Sequence, residues 1–252
     1  MEKINVIKVG GKIVEDSLED FLCSFSTVEG KKALVHGGGR TATALAAKLG
    51  IETKMVGGRR ITDKEMLDVV TMVYGGLVNK NIVAGLQARG INAIGLTGAD
   101  MDIIRSDKRP VKEVDYGYVG DVKSVRGDML AALIESGATP VVAPLTHDGK
   151  GSMLNTNADT IAATVAKGLV GKYEVTLTYC FEMPGVLADP EDPSSVIPEI
   201  TPESFGKLTA DGTVSGGMIP KIENALDAVR AGVAKVVITK ADNLSGGTVI
   251  RL

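Results

Sequence analysis

Val6-Ile7-Lys8-Val9-Gly10-Gly11 is a short apolar run that carries one lysine and ends in two glycines. A charged side chain is costly to bury, so we place Lys8 at the carboxyl end of a β-strand, where it can reach a bound anion. Two glycines after a strand permit a sharp turn and let backbone N–H groups approach a phosphate closely. A buried strand whose lysine extends its ammonium group to solvent fits this stretch equally well. Other stretches must therefore show whether Lys8 faces an anion or solvent.

Apolar runs alternate with helix-like segments along most of the chain. Residues 5–9 and 33–36 have the pattern of strands, while residues 17–25 and 41–49 have the pattern of helices. This βαβα order predicts a mostly parallel open sheet covered by helices on both faces, which is a three-layer αβα sandwich.

Three other features refine this prediction. Gly57-Gly58 between two short runs indicates a β-hairpin, and Asp63 after it is typical of the cap of a long helix over residues 64–89. Residues 103–125 predict short polar strands that form an antiparallel excursion, suited to a lid or a subunit contact. A composition shift at residues 168–173 predicts a boundary between two lobes, 1–170 and 171–252.

Composition excludes several classes of function. A chain of 252 residues, of which 44% are hydrophobic, can bury a large core. Its net charge of −3 provides no basic field, so we expect no nucleic-acid partner and no binding to anionic membranes. Cys23 and Cys180 are too few for a disulfide framework, and we find neither a leader sequence nor an apolar run long enough to span a membrane. We therefore expect a cytoplasmic protein.

A second glycine-rich turn, Val35-His36-Gly37-Gly38-Gly39-Arg40, follows a predicted strand and opens a predicted helix. Backbone N–H groups and the helix N-terminus can bind an anion there. Read as Gly37-x-Gly39-x-x-Ala42, the turn also fits a dinucleotide-binding motif, which requires an acidic residue about 20 positions later. Glu52 lies too early for that role and Asp63 is placed as a cap, so this fit is loose. A tight turn without a ligand is a third reading.

Three further stretches carry groups that suit an anionic substrate. Arg59 and Arg60 follow the predicted hairpin turn, and the planar guanidinium group suits a carboxylate. Residues 154–159 place two amides and Asp159 before a helix, where the carboxylate can cap the helix or space two lysines. Lys221 follows Gly216-Gly217 at a helix start, where the helix dipole disfavours a cation unless an anion binds beside it.

Two motifs are absent from the sequence. No G-x-x-x-x-G-K-[ST] motif occurs, so a nucleotide would not be held by a Walker P-loop. His36 and His147 are the only histidines, and no cluster of His and Cys residues suggests a metal site.

Together these motifs resemble the amino acid kinase family, in the branch that acts on N-acetylglutamate rather than on carbamate, aspartate or uridylate. They occur in the family's order and span essentially the whole chain. The motifs are Lys8-Val9-Gly10-Gly11, Val35-His36-Gly37-Gly38-Gly39, Gly58-Arg59-Arg60-Ile61-Thr62, Asn79-Lys80, Asn155-Thr156-Asn157-Ala158-Asp159 and Gly217-Met218-Ile219-Pro220-Lys221.

The resemblance implies transfer of the γ-phosphoryl group of ATP to the side-chain carboxylate of N-acetyl-L-glutamate in arginine biosynthesis. Mg²⁺ would accompany ATP and be held mainly by ATP oxygens. Residues 1–170 would bind the N-acylglutamate and form a homodimer, and residues 171–252 would bind the nucleotide, with β-hairpin excursions over the substrate site. Because the chain begins at its first strand, we expect no inhibition by arginine.

The resemblance also implies individual roles. Lys8 and Lys221 would stabilise transition-state charge, and Asp159 would order them. The residues that match substrate contacts are Gly38, Gly39, Arg60 and Asn155. The residues that match phosphate or nucleotide contacts are Gly10, Gly11, Glu182, Gly185, Thr213 and Ser215.

Three alternatives remain: a different acyl substrate, a protein of another class, and a kinase-like protein that binds acylglutamate without turnover because its nucleotide lobe is altered. Some relatives use N-succinyl-L-glutamate, whose additional carboxylate would require a cation such as Arg59, Lys54 or Arg40. A non-kinase that binds a dinucleotide at residues 37–42 is the alternative from another class. The segment Phe181-Glu182-Met183-Pro184-Gly185-Val186 also departs from the family's Thr/Asn-Asp-Val-x-Gly-Val, and Glu182 keeps the charge on a longer side chain.

Overall fold

The computed structural model describes residues 1–252. Fourteen strands and nine α-helices follow one another along the chain. The strands are β1 (Glu2–Val9), β2 (Lys31–His36), β3 (Met55–Val56), β4 (Arg59–Arg60), β5 (Ala93–Leu96), β6 (Ile104–Lys108), β7 (Gly120–Val125), β8 (Thr139–Val142), β9 (Leu145–His147), β10 (Met153–Asn155), β11 (Tyr173–Phe181), β12 (Glu199–Ile200), β13 (Lys235–Lys240) and β14 (Thr248–Ile250). The α-helices are α1 (Gly11–Asp16), α2 (Leu18–Thr27), α3 (Gly39–Lys48), α4 (Lys64–Val70), α5 (Asn79–Gln87), α6 (Gly127–Glu135), α7 (Ala158–Leu169), α8 (Pro202–Ala210) and α9 (Met218–Arg230).

The central sheet has eight strands in the order β12-β14-β13-β11-β1-β2-β8-β5. All neighbouring strands are parallel except β13 and β14. Helices α6, α7 and α9 pack on one face, and α1 to α5 pack on the other. The predicted three-layer αβα sandwich around a mostly parallel open sheet is therefore confirmed.

The strand β1 lies near the middle of this sheet, between β11 and β2. Its side chains alternate between the two faces, so Val6 and Val9 belong to opposite halves of the core. Lys8 points to the same face as Val6, toward α7 and α9. This placement brings the lysine to the carboxyl end of a central parallel strand, where open α/β sheets bind their ligands.

Residues 64–87 form one continuous helical run, and Oδ1 of Asp63 accepts a hydrogen bond from the Met66 amide at 2.9 Å. The predicted cap is therefore present, but the predicted uniform α-helix contains a π-helical segment, Thr71–Val78. We expected no segment long and apolar enough to cross a membrane, and this expectation is wrong. The helical run Lys64–Gln87 is both long enough and apolar enough, judged by length and composition alone. Many of its apolar side chains, including Tyr74 and Ile82, pack into the core, as expected of a core helix.

Other element boundaries differ from those predicted. The short helix α1 was not predicted, because only five residues separate Gly11 from Ser17. The strand β11 extends to Phe181 rather than Thr178, since Tyr179 and Cys180 remain buried beside β1 and β13. Helix α9 begins before Lys221, which therefore lies at the end of its first turn.

Two smaller sheets lie beside the carboxyl ends of the central strands, one a two-stranded antiparallel hairpin and the other a four-stranded sheet in which only β6 and β9 are parallel. The hairpin of β3 and β4 is present as predicted, and β6 and β7 form the predicted antiparallel excursion within a four-stranded sheet. Isolated bridges join Thr62, which follows the hairpin, to Gly117, and Val119 to Asn155 of β10. The division into two lobes at residue 170 remains a prediction, and β11 pairs directly with β1 across it.

Candidate active site

A cavity of about 260 Å³ opens at the carboxyl ends of β1 and β2. The hairpin of β3 and β4, the N-terminus of α7 and residues of the four-stranded sheet complete its walls. It brings together many of the residues predicted from the sequence, namely Lys8, Gly11, Gly38, Gly39, Arg60, Asn155 and Asp159.

The two glycine-rich turns meet at the floor of this cavity. A methyl group added to Gly37 would lie 2.7 Å from the amide nitrogen of Gly11, and one added to Gly11 would lie 3.1 Å from that of Gly38. Larger residues would separate the turns, so glycine is required for this approach. Helix α3 also begins here without a side-chain cap, which leaves its first N–H groups available to an anion.

Lys8 and Asp159 form an ion pair inside the cavity. The Nζ atom of Lys8 lies 2.8 Å from Oδ1 of Asp159, and the lysine is only 7% exposed. Asp159 lies in the first turn of α7, where Asn157 rather than Asp159 caps the helix by accepting from the Asp159 and Thr160 amides. The carboxylate is therefore free to hold the lysine.

Lys221 reaches the same region from α9 but makes no ion pair within 4.0 Å. Its Nζ atom lies 4.1 Å from the centroid of the Phe181 ring. Asp159, Tyr179 and Lys221 line a small adjoining pocket. The sequence motifs imply that Asp159 orders both lysines, and the direct contact is present for Lys8 alone.

Arg60 is 9% exposed, and its guanidinium group contacts only neutral acceptors. One terminal nitrogen donates to the Gly39 carbonyl oxygen and the Thr43 hydroxyl, both at 2.8 Å, and the other donates to the Thr53 hydroxyl at 3.2 Å. No carboxylate lies within 4.0 Å of it. A buried, oriented cation without a counter-ion is well suited to bind the carboxylate of a ligand.

Amide side chains support the glycine turn and the opposite wall. Nδ2 of Asn155 donates to the Thr62 hydroxyl at 2.9 Å. Below the turn, Nδ2 of Asn79 lies 3.1 Å from Nε2 of His36, whose Nδ1 lies 2.8 Å from the Gly37 carbonyl oxygen. We assign the imidazole as neutral with Nδ1 protonated, because burial lowers the pKa of His36 to about 4 and the nearby charge of Lys80 also lowers it.

The remaining predicted nucleotide residues lie outside this cavity. Glu182 pairs with Lys12 at 2.5 Å. Gly185 packs tightly, since a methyl group there would lie 2.7 Å from a methyl group of Val196. The Thr213 amide donates to Asp211, and the Ser215 carbonyl accepts from the Met218 amide before α9. Gly10 is the N-cap residue of α1. The predicted phosphate or nucleotide contacts of all five residues stay predictions.

Sequence reasoning missed several residues of the site. Tyr74 lies against Gly38, and a methyl group on that glycine would lie 2.9 Å from the tyrosine ring. Burial raises the pKa of the Tyr74 phenol, and the charge of Arg60 opposes that rise. Arg109 and Val119 line the cavity from the four-stranded sheet. Tyr74 lies in a long apolar helical run, where no local pattern distinguishes a cavity residue from a core residue.

The residues present suit a metal ion that arrives with its ligand. No group of three or more His, Cys, Asp or Glu side chains is arranged to hold a metal ion. Mg²⁺ usually keeps several water ligands and binds through substrate phosphates, so these residues fit an ion carried by a nucleotide.

Comparisons with known proteins agree with this geometry. The model of the amino acid kinase family matches residues 3–240. The acetylglutamate kinase of Phocaeicola vulgatus is 66% identical over 254 aligned positions, which cover 99% of each chain. The acetylglutamate kinase of Bacteroides thetaiotaomicron is 66% identical and covers 95% of this chain and 94% of its own. Among solved structures, smu.665 from Streptococcus mutans UA159 has a TM-score of 0.81 and 31% identity, with 98% of both chains covered.

Proposed function

Because the chain belongs to the amino acid kinase family, we propose that it transfers the γ-phosphoryl group of ATP to the side-chain carboxylate of N-acetyl-L-glutamate. The product is N-acetyl-L-glutamyl 5-phosphate, and the reaction is the second step of arginine biosynthesis. One observation of the structure carries this proposal. The buried, unpaired guanidinium group of Arg60 shares a cavity with the Lys8–Asp159 pair and with the two glycine turns. A site for a carboxylate thus lies beside a site for a phosphate.

Arg60 binds the α-carboxylate of the acceptor in this proposal. Its contacts with Gly39, Thr43 and Thr53 fix the guanidinium plane before the substrate arrives. Asn155 and the backbone of Gly38 and Gly39 lie in the same cavity and contact the rest of the acylglutamate. N-acylation also prevents the activated side chain from cyclising onto a free amine.

The transferred phosphoryl group lies between the glycine turns and the lysines. N–H groups of Gly11 and Gly38 donate to its oxygens, while Lys8 and Lys221 approach from β1 and α9. The acceptor is already a carboxylate, so no general base is needed. Catalysis depends on in-line positioning and on stabilising the charge of the equatorial oxygens. Mg²⁺ supplies further charge neutralisation when it is bound with ATP.

The nucleotide itself extends toward the segment after β11. We assign Gly10, Glu182, Gly185, Thr213 and Ser215 to this part of the site. Glu182 is half-exposed and its partner Lys12 follows the first glycine turn, so this pair lies beside the proposed phosphate site. The longer glutamate in place of the family's aspartate reaches that lysine.

A second candidate acceptor is N-succinyl-L-glutamate, which requires a cation near the acyl group. Arg59 and Arg109 line the cavity, and together with Lys112 they line an adjoining cavity of about 520 Å³. Arg109 is held by Asp121 at 2.6 Å, whereas Arg59 has no ion-pair partner within 4.0 Å. Among the cations considered from the sequence, Lys54 pairs with Glu52 and Arg40 pairs with Asp16. Arg59 is therefore the candidate for a second carboxylate.

We also propose a homodimer in the cytoplasm. Met72 and Leu77, on the π-helical segment, are each 52% exposed and supply an apolar surface that a second copy can cover. Light scattering after size-exclusion chromatography tests this assembly, and a mass of one chain at micromolar concentration contradicts it.

Acyl-phosphate trapping tests the reaction. The protein is incubated with MgATP and hydroxylamine, and both ADP and hydroxamate are measured with N-acetyl-L-glutamate, N-succinyl-L-glutamate and L-glutamate. We expect hydroxamate with N-acetyl-L-glutamate and none with L-glutamate. N-succinyl-L-glutamate would be favoured as the acceptor if the protein is active with it and if Arg59→Ala abolishes that activity but not the activity with N-acetyl-L-glutamate. No hydroxamate with any acceptor, from folded protein, would contradict the proposed function.

A further inference from the structure

The ammonium groups of two lysines face one aromatic ring at the end of β11. The Nζ atom of Lys221 lies 4.1 Å from the centroid of the Phe181 ring, and that of Lys8 lies 5.4 Å from it. Both distances fall within the roughly 6 Å over which a cation is attracted to the negative face of an aromatic ring. Phe181 is also the residue at which this chain departs from the family's threonine or asparagine.

The register of the sheet explains why these groups meet. Lys8 lies directly opposite Tyr179 in the parallel pair of β1 and β11, so both side chains point to the same face. Phe181 follows two residues later on that face, and its ring stacks on the Tyr179 ring with centroids 6.3 Å apart. Helix α9 packs over the same face and brings Lys221 to the ring.

The neighbouring tyrosine holds the phenylalanine ring in place. Tyr179 is 4% exposed, and its hydroxyl donates to the backbone carbonyl oxygen of Asp159 at 3.3 Å. Burial raises the pKa of Tyr179, so this hydroxyl stays protonated near neutral pH. The stack of Tyr179 and Phe181 is thereby tied to the start of α7, which also carries the carboxylate that pairs with Lys8.

The ring differs from a carboxylate in its effect on the lysine that it holds. A carboxylate beside Lys221 would compete with the phosphate for the ammonium group. The ring is neutral, so it can orient the ammonium group and leave its full charge available to the transferred phosphoryl group. Lys8 has Asp159 as a partner, but Lys221 has only the ring.

We infer that Phe181 is a positioning residue for phosphoryl transfer, which holds Lys221 and, more weakly, Lys8 through the face of its ring. The inference rests on the proposed kinase function. It assigns a role to a residue that the sequence motifs leave without one.

Fluorinated phenylalanines at position 181 test this inference. Each added fluorine weakens the negative face of the ring with little change in its shape. We expect kcat for acyl-phosphate formation to fall stepwise as fluorines are added, and Phe181→Leu to lower it by about 5- to 30-fold. Phe181→Tyr retains the ring face and should retain most of the turnover. The KM for N-acetyl-L-glutamate should change little, because the ring does not contact the acceptor site around Arg60.

Phe25 provides the matched control. Its buried ring lies 5.0 Å from Nζ of Lys32, in the opposite half of the core and away from the cavity. The same fluorinated residues at position 25 should leave kcat unchanged. A flat kcat across the series at position 181, or an equal fall at position 25, would overturn the inference. If the unmodified enzyme forms no acyl phosphate, the proposed function fails, and the inference fails with it.

Discussion

The Nζ atom of Lys8, at the end of β1, lies 2.8 Å from Oδ1 of Asp159, at the start of α7. The pair joins the central sheet to the helix that covers it, beside the turn where Gly11 meets Gly38. A lysine that is 7% exposed and held by one carboxylate has a defined direction.

Lys8→Met should lower kcat by about 100- to 1000-fold, because it removes the positive charge that we propose stabilises the transferred phosphoryl group. The KM for N-acetyl-L-glutamate should change little, since the proposed acceptor contacts, Arg60 and Asn155, are unchanged. Steady-state rates of ADP release measure both constants. Lys3→Met is the matched control, because Lys3 lies at the other end of β1 with 79% of its side chain exposed. Near-normal turnover of Lys8→Met would exclude the catalytic role.

Arg60→Lys should raise the KM for N-acetyl-L-glutamate by about 10- to 100-fold, with a smaller effect on kcat. Lysine keeps the charge but cannot make two parallel hydrogen bonds to a carboxylate. Initial rates over a range of acceptor concentrations check this expectation. Arg59→Lys at the neighbouring position should leave the KM for N-acetyl-L-glutamate unchanged. A fall in kcat alone at position 60 would mean that Arg60 acts on the phosphoryl group instead.

The stability of the fold should depend on pH through His36. Burial lowers the pKa of His36 from 6.5 to about 4, so the unfolded chain binds more protons than the folded chain between these values. The free energy of unfolding is therefore unaffected by His36 above pH 6.5. It decreases as the pH falls from 6.5 toward 4, by about 3 kcal/mol in total, because the unfolded chain gains a proton that the folded chain does not. Urea unfolding at several pH values should show that the free energy of unfolding depends less on pH in His36→Gln, because glutamine cannot titrate. Equal slopes in the two proteins would contradict this origin.

Gly37→Ala should destabilise the fold by about 1–3 kcal/mol and abolish most turnover, because its methyl group would meet the backbone nitrogen of Gly11 at 2.7 Å. Gly206→Ala is the control. It lies in α8 with no atom within 4 Å of the added methyl group, and should stabilise the protein by about 0.5–1 kcal/mol. Thermal unfolding of both variants distinguishes steric conflict from a general effect of alanine. Equal stability of the two variants would mean that the turns can separate freely.

The parts of the site that the sequence predicts are those with strong local signals. Lys8 in an apolar run, the glycines that follow strands and the Asp63 cap each require a particular residue type for a local physical reason. Arg60 and Asp159 share a cavity because the hairpin and α7 both lie at the carboxyl ends of the central strands, as the alternating pattern predicts.

Other contacts depend on tertiary packing that no local pattern encodes. Tyr74 and Phe181 lie in apolar segments, where core and site residues have the same periodicity. The π-helical segment at Thr71–Val78 cannot be distinguished from an α-helix by its apolar spacing. The cation–aromatic contact of Lys221 depends on how α9 packs over β11, which the sequence does not specify.

The stereochemical course at phosphorus tests whether the phosphoryl group is transferred in one step. We propose that one cavity aligns ATP and the acylglutamate carboxylate for a single in-line displacement, with no covalent intermediate on the protein. ATP made chiral at the γ-phosphorus with oxygen isotopes is converted with N-acetyl-L-glutamate, and the configuration of the transferred group is determined. A single in-line displacement inverts the configuration at phosphorus, so we expect inversion. Retention would require two successive transfers through a phosphorylated side chain and would contradict it.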